Sequence, residues 1–483
     1  MIMFNSLHEE CGVFGIFENK TGTVAETTYL ALFALQHRGQ EACGIAVNDD
    51  GVFSHYKHSG LVPDVFDHEK LTALGKGNMA IGHVRYSTTG GKDMGNVQPL
   101  VIRHIKGNLA LCHNGNLINA DVIRKKFELS GGIFHGTSDT EALAYSIVFN
   151  RLSSKNTEEA IEKTMYTVKG AYSCIVMTAT KMIVFRDPNG FRPLCIGKTR
   201  DGAYVAASES CAFDAIGAVF VRDVLPGEIV VFSKDGVKSI TTHIAKKEKS
   251  SMCVFEYIYF ARPDSVIDGA SVQKARMRAG AFLAKEHPVD ADIVIGVPDS
   301  GIDAALGYSQ ESGIPYGIGF IKNRYIGRSF IQPSQSQRED AVKIKLNVVK
   351  ENILGKRVIM IDDSIVRGTT CVRIVKLLRE AGAKEVHMRV SAPPFKHPCY
   401  FGTDIDSRDK LIACRYRTVR EIAKVIGVDS LGYLSIKATH KIAKDANISF
   451  CDGCFTGNYP INVPDQISKN KFDQKLGYYQ NLD

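Results

Sequence analysis

Apolar residues in this 483-residue chain fall into short runs broken by turns, and the runs differ between its two halves. In the first half, Cys11-Gly-Val-Phe-Gly-Ile-Phe17, Ala171-Tyr-Ser-Cys-Ile-Val-Met177, Met182-Ile-Val-Phe185 and Glu228-Ile-Val-Val-Phe232 read as strands. The turn Arg186-Asp-Pro-Asn-Gly-Phe-Arg-Pro193 separates two of them. In the second half, Asp292-Ile-Val-Ile-Gly-Val-Pro298 and Val358-Ile-Met-Ile361 have the length and composition of buried strands. The second of these leads through a turn into a helical pattern, Val372, Val375 and Leu378, which Gly382 should stop.

The turn after Ile361 carries the densest chemistry. It reads Asp362-Asp363-Ser364-Ile-Val-Arg367-Gly368-Thr369-Thr370, two carboxylates at a strand's end followed by hydroxyls and a glycine. In an open α/β sheet, ligands bind beyond the carboxyl ends of the strands. Backbone N–H groups of the turn and of the helix N-terminus suit a phosphate. The carboxylates suit ribose hydroxyls and a divalent cation. An ordinary βα turn with two solvated acids is the plainer alternative.

The stretch resembles, residue for residue, the phosphoribosyl pyrophosphate (PRPP) motif of type I phosphoribosyltransferases, in the version found in the glutamine PRPP amidotransferase family. The resemblance implies that Asp362 and Asp363 hold the ribose hydroxyls and Mg2+, and that Arg367, Gly368, Thr369 and Thr370 wrap the 5′-phosphate. It also implies that the turn following Asp292-Ile-Val-Ile is a pyrophosphate loop whose Ser300 contacts the magnesium. Gly319-Phe-Ile-Lys322-Asn-Arg324-Tyr325-Ile-Gly-Arg328 opens a long basic stretch without periodicity. It looks like the family's flexible loop, which closes over PRPP. Lys322, Arg324 and Arg328 are then candidates for contacting departing pyrophosphate and Tyr325 for closing the site.

Cys11 taken alone is either a core thiol behind a ten-residue leader or, once that leader is removed, an N-terminal nucleophile. A free α-amino group titrates near 7.7–8.0 and can act as base for its own thiol. Downstream stand Leu35-Gln-His-Arg-Gly-Gln-Glu41, Gly82-His-Val-Arg85-Tyr-Ser-Thr88, His113-Asn114-Gly115-Asn116 and Thr137-Ser-Asp139-Thr-Glu141. In this order they resemble the class II glutamine amidotransferase domain, an N-terminal-nucleophile hydrolase. The resemblance implies Cys11 as nucleophile, Asn114 and the Gly115 N–H as oxyanion hole, Arg85 on the glutamine α-carboxylate and Asp139 on its ammonium. His37, His83 and His113 lie inside these motifs, but each also reads as a hydrogen-bonded structural histidine.

Cys451-Asp-Gly-Cys454 fits a redox pair, a zinc site or an iron–sulfur site. The family resemblance adds Cys253 and Cys399, and the members with all four cysteines carry a structural [4Fe–4S] cluster. Zinc remains the chief competitor, and plain burial the third choice. Cys43, Cys112, Cys174, Cys195, Cys211, Cys371 and Cys414 are expected to be packing residues. Cys43 and Cys371 also differ from the small or hydroxyl residues usual in the family.

Composition narrows the rest. With 44% hydrophobic and 23% charged residues the chain is an ordinary globular one. The net charge of +8 is scattered, which argues against a nucleic-acid partner. No apolar run approaches a membrane span and the first ten residues lack a signal-peptide pattern, so a cytoplasmic location is expected. Twelve cysteines without a secretory signal argue against a disulfide framework.

The expected fold class is α/β plus α+β. An N-terminal-nucleophile αββα sandwich (11–245) follows a leader (1–10). A type I phosphoribosyltransferase domain with a mainly parallel sheet (246–445) comes next, then a tail with cluster cysteines (446–483). The family implies glutamine and PRPP as substrates, 5-phosphoribosylamine as product, feedback by purine nucleotides and a homotetramer. A different class II amidotransferase, or a PRPP-sensing regulator on the phosphoribosyltransferase fold, is the rival reading.

Overall fold

Residues 12–241 build two antiparallel sheets, of seven and six strands, stacked face to face. The computed structural model describes residues 11–86, 93–242, 249–323, 346–403, 405 and 407–464. The strand Gly12–Gly22 lies inside the seven-stranded sheet, between Tyr204–Ala207 and Gly77–Arg85. Its side chains alternate between two buried layers. Phe14 and Ile16 point to the helix Val24–Ala34, while Val13 and Phe17 point to the second sheet. Burial on both faces explains why this strand reads as a continuous apolar run.

The six-stranded sheet answers with Ala110, Cys112, Ile175, Val184 and Val230. Its outer face is covered by the helices Asp139–Leu152 and Thr157–Met165 through Leu143, Ile147 and Ile161. The layers therefore run helix, sheet, sheet, helix, as expected.

The second half centres on a parallel sheet in the order Ile293–Gly296, Arg357–Asp362, Glu385–Val390, Ser430–Tyr433. Beside it the helices Val272–Glu286 and Gly301–Ser312 touch backbone to backbone. A Cβ on Gly280 would lie 1.8 Å from the Ala304 carbonyl oxygen, and one on Gly307 would lie 1.9 Å from that of Met277. Glycine is required at both crossings.

Two expectations need correcting. The helix Thr369–Glu380 buries Cys371, Ile374, Val375 and Leu378, whereas Val372 is 40% exposed. The helical phase turns residue 371, not 372, into the hydrophobic core against the parallel sheet. Cys414 is exposed rather than packed, because the one-turn helix Ile412–Arg415 turns only Ile412 inward. The other six of those cysteines are buried.

The halves are sewn together near the chain's C-terminal part. Met252–Cys253 pairs in parallel with Phe450–Cys451, and Phe191 stacks on Phe401 with ring centroids 4.0 Å apart. Among the described residues no helix is long and apolar enough to cross a membrane. The leader 1–10, Ser87 and Thr88, the charged stretch 243–248, Arg324, Tyr325, Arg328 and the tail from 465 lie outside the described residues.

Candidate active site

The first cleft forms where the strands Gly77–Arg85 and Gly107–Leu117 and the helix Asp139–Leu152 meet Cys11. Cys11, Arg85, Tyr86, Asn96, Gln98, His113, Gly115, Ser138, Asp139 and Thr140 line it. Cys11 is 7% exposed, and its thiol donates to the Tyr86 carbonyl at 3.4 Å. Asn114 is fully buried, yet among the described residues neither its Nδ2 nor its Oδ1 has a partner. An unpaired buried amide is costly in a folded protein and marks a group kept for something else. Gly115 has φ +140°, and a Cβ there would meet the Ala171 carbonyl oxygen at 2.2 Å. The backbone that sets the Gly115 N–H thus tolerates only glycine.

Cys11, Arg85, Asp139 and Gly115 therefore share one cleft, with Asn114 between His113 and Gly115 on the same strand. Asp139 is the first residue of its helix, and its Oδ2 accepts from the Leu117 N–H at 2.8 Å. His37, His83 and His113 are all hydrogen-bonded within the fold. His83 donates through Nε2 to the His113 carbonyl at 3.1 Å, and burial lowers its pKa to about 3. His113 Nδ1 lies 3.1 Å from Thr140 Oγ1.

Sequence motifs missed Asn96 and Gln98. Asn96 Oδ1 accepts from the N–H groups of Thr137 and Ser138, and Gln98 Oε1 accepts from the His113 N–H. They brace the walls of the cleft, but as lone amides in the segment Asn96-Val-Gln-Pro99 they announce nothing. Ser138, whose hydroxyl is buried without a partner among the described residues, also went unnoticed.

The second site lies at the carboxyl end of the strand Arg357–Asp362. Asp362 and Asp363 are each 7% exposed. Ser300 Oγ donates to Asp363 Oδ1 at 2.6 Å, and the Ser364 hydroxyl donates to Asp363 Oδ2. Burial, then the neighbouring Asp363 charge, pushes the Asp362 carboxyl well above the ordinary range; burial also raises Asp363. Such a pair invites a cation.

Two buried carboxylates and a hydroxyl are hard oxygen donors, the set with which Mg2+ is held alongside waters and substrate phosphates. Gly368 sits at φ +84° as N-cap of the helix Thr369–Glu380, so Thr369 and Thr370 open a helix N-terminus beside the acids. Arg367 is half-buried there, and its carbonyl accepts from Arg415 Nη2. Lys322 ends the short strand Phe320–Lys322, paired with Leu346–Val348, and is ion-paired to Asp299 on the Ser300 turn.

The four remaining thiols share one neighbourhood. Cys253 is directly paired with Cys451 across the small parallel sheet, and the Lys396 and His397 N–H groups both donate to the Cys454 carbonyl. Burial pushes the Cys451 and Cys454 thiols up, and charge on Cys253 and Cys399 pushes further. Among the described residues, however, no group of three or more His, Cys, Asp or Glu side chains is close enough to hold a metal ion as placed. The thiols are neighbours without forming a closed cage. Four soft sulfur donors still make the set that iron–sulfur clusters and zinc take.

A glutamine amidotransferase domain family matches residues 83–215, and a phosphoribosyl transferase domain family matches residues 271–435. The amidophosphoribosyltransferase of Methanocaldococcus jannaschii is 48% identical over 466 residues, 94% of this chain and 98% of the relative. That of Bacillus subtilis is 49% identical over 462 residues, 95% of each chain.

The solved glutamine PRPP amidotransferase from B. subtilis, complexed with ADP and GMP, has a TM-score of 0.87 at 48% identity. It covers 95% of this chain and 99% of its own. A second structure, described as the allosteric regulatory enzyme of purine biosynthesis, has a TM-score of 0.89 at 47% identity, covering 96% of this chain and 99% of that one. Neither rival reading accounts for both halves, and the chain belongs to the amidophosphoribosyltransferase family.

Proposed function

We propose that this enzyme converts glutamine, water and PRPP to 5-phosphoribosylamine, glutamate and pyrophosphate, the first step of de novo purine synthesis. The observation that carries this reading is the coexistence in one chain of a thiol cleft, with an Asn114 amide unpaired among the described residues, and a buried acid pair at a turn that opens a helix N-terminus.

At the first site Cys11, freed of residues 1–10, attacks the glutamine amide carbon. Its α-amino group takes the thiol proton and passes it to the leaving ammonia. Asn114 Nδ2 and the Gly115 N–H stabilise the oxyanion, while Arg85 and Asp139 hold the amino-acid end. Water then hydrolyses the thioester to release glutamate.

At the second site the ammonia lone pair displaces pyrophosphate from the anomeric carbon. Asp362 and Asp363 orient the ribose, and Arg367, Gly368, Thr369 and Thr370 hold the 5′-phosphate. Mg2+, held by Ser300, Asp362 and Asp363, would neutralise the pyrophosphate charge. Lys322, with Arg324, Tyr325 and Arg328, would face the leaving group. Positioning and electrostatics supply the catalysis, since no covalent chemistry by the protein is needed.

Cys253, Cys399, Cys451 and Cys454 would hold a structural [4Fe–4S] cluster, with zinc as the alternative. The domains would divide near residues 245 and 445. A cytoplasmic homotetramer restrained by purine nucleotides completes the reading. Replacing Cys11 by Ala should abolish glutamine-dependent synthesis and spare ammonia-dependent synthesis. Loss of both reactions in a folded variant would refute the division of labour.

A further inference from the structure

The nucleophile's backbone is held by a residue that is itself held from the other half of the protein. Arg38 is fully buried, and its Nε donates to the Cys11 carbonyl at 3.0 Å. Its two terminal nitrogens grip Glu256, Nη1 to Oε2 at 3.0 Å and Nη2 to Oε1 at 2.9 Å. Nη1 also reaches Glu209 at 2.5 Å.

Glu256 Oε1 accepts a further hydrogen bond from Arg192 Nη1 at 3.1 Å. Arg192 in turn donates to the Phe401 carbonyl through Nε at 3.1 Å and Nη2 at 2.8 Å. Both arginines and both glutamates are buried.

Glu256 opens the short helical turn Glu256–Phe260, which is fastened to the second half by the Tyr257 hydroxyl on the Ile267 carbonyl and by an arginine. Arg276, in the helix Val272–Glu286, donates to the carbonyls of Tyr257, Tyr259 and Ala261 at 2.9, 2.9 and 2.6 Å. Arg276 lies in the electrostatic field of Asp303 and Asp363. The carboxylate of Glu256 is thus carried by a turn held by the half with the acid pair, yet it pairs bidentately with the arginine on Cys11.

We propose that Glu256 is a positioning residue for Cys11, so that the geometry of the nucleophile is set from the second half through the bridge Arg192–Glu256–Arg38. The proposal rests on the reading that Cys11 attacks glutamine and the second site takes PRPP. Holding the Cys11 carbonyl fixes the Cys11–Gly12 peptide plane and with it the Cα that carries both the thiol and the amino group. Arg38 can hold the carbonyl only while its own fork is held. Bidentate pairing to Glu256 supplies two of the contacts that do so.

A glutamine at 256 keeps the shape but turns one acceptor into a donor facing an arginine N–H. Glu256→Gln is therefore compared with the wild type using glutamine or ammonium as nitrogen donor, both with PRPP and Mg2+. Iodoacetamide alkylation of Cys11 is followed in parallel. Glutamine-dependent kcat should fall at least ~10-fold and Cys11 alkylation should slow. The glutamine KM should stay within roughly threefold and ammonia-dependent synthesis within about twofold.

An unchanged glutamine-dependent kcat, or equal loss with both donors, overturns the proposal. Arg192→Lys, which keeps the cation but not the fork, should act in the same direction. It decides by the same comparison if the first variant does not fold. Wild-type enzyme that makes no phosphoribosylamine from either donor would instead overturn the functional reading.

Discussion

Ser300 Oγ donates to Asp363 Oδ1 across 2.6 Å, joining the start of the helix Gly301–Ser312 to the turn after the neighbouring strand. The approach is possible because residue 301 is glycine; a Cβ there would lie 2.4 Å from the Ile361 carbonyl oxygen. Two parallel strands thereby deliver a hydroxyl and two carboxylates to one point, as the crevice of an open α/β sheet requires.

The acid pair should trade stability for function. Both carboxyls are raised from the ordinary value of 3.8, so their neutral forms favour the fold. That stability is fully present below the ordinary value and is lost as pH rises through the raised one. Asp362→Asn is expected to abolish PRPP-dependent synthesis while raising the stability at neutral pH by about 1–2 kcal/mol. Thermal midpoints recorded from acid to neutral pH check it. The gain should vanish in acid, and added Mg2+ should shrink it by stabilising the wild type alone. A variant less stable than the wild type at neutral pH would contradict the electrostatic account.

Asn114→Ala separates catalysis from folding. Among the described residues its amide has no partner to lose, so unfolding midpoints should be unchanged or slightly higher. Glutamine-dependent kcat should nevertheless fall by about 10²–10³, with little change in KM, because an oxyanion donor acts only in the transition state. Ammonia-dependent synthesis serves as the control and should persist. A clear drop in stability would mean that the amide has a structural partner.

Glu209 is a structural anion of the opposite kind. Burial alone would raise its pKa, but the His37 and Arg38 charges hold it well below the ordinary 4.5. Its Oε2 also accepts from the Arg262 N–H and the Ser265 hydroxyl, both in the segment that opens the second half. The stabilisation is present above the ordinary value and is lost as pH falls through the depressed one. Glu209→Gln should therefore lose roughly 3–5 kcal/mol at neutral pH, since it leaves Arg38 underpaired. Urea titrations at descending pH should see the deficit narrow only in strong acid. A deficit independent of pH would point to packing rather than charge.

Cys454→Ser should remove one corner of the thiol neighbourhood. The expected results are loss of iron and acid-labile sulfide from purified protein and earlier proteolysis of the segment after Phe450. That segment is anchored by two parallel-paired residues and by Tyr459, whose hydroxyl donates to the Pro398 carbonyl at 2.6 Å. Wild-type protein that contains zinc and no sulfide would replace the cluster by the other soft-donor site.

Local chemistry was legible wherever several residues of one site are adjacent in the chain. The acid pair, the turn and the helix start lie within nine residues, 362–370, so their pattern survives in one dimension. The strand Gly12–Gly22 was legible because both its faces are buried. Val372 and Cys414 misled because an apolar or sulfur side chain does not say which way a helix is turned. That phase is set by the surface it packs on.

The chain's order of residues, by itself, determined the family, the sandwich and the parallel sheet, because each is written in short stretches of contiguous chemistry. Tertiary structure alone decided that Arg38 meets Glu256 across 218 positions, that Arg192 reaches Phe401 across 209, and that Gln98 braces His113. Buried charges must find partners wherever the fold brings them, and nothing in a one-dimensional pattern marks two distant ions as a pair. Part of the link between the halves resides in the first two pairings.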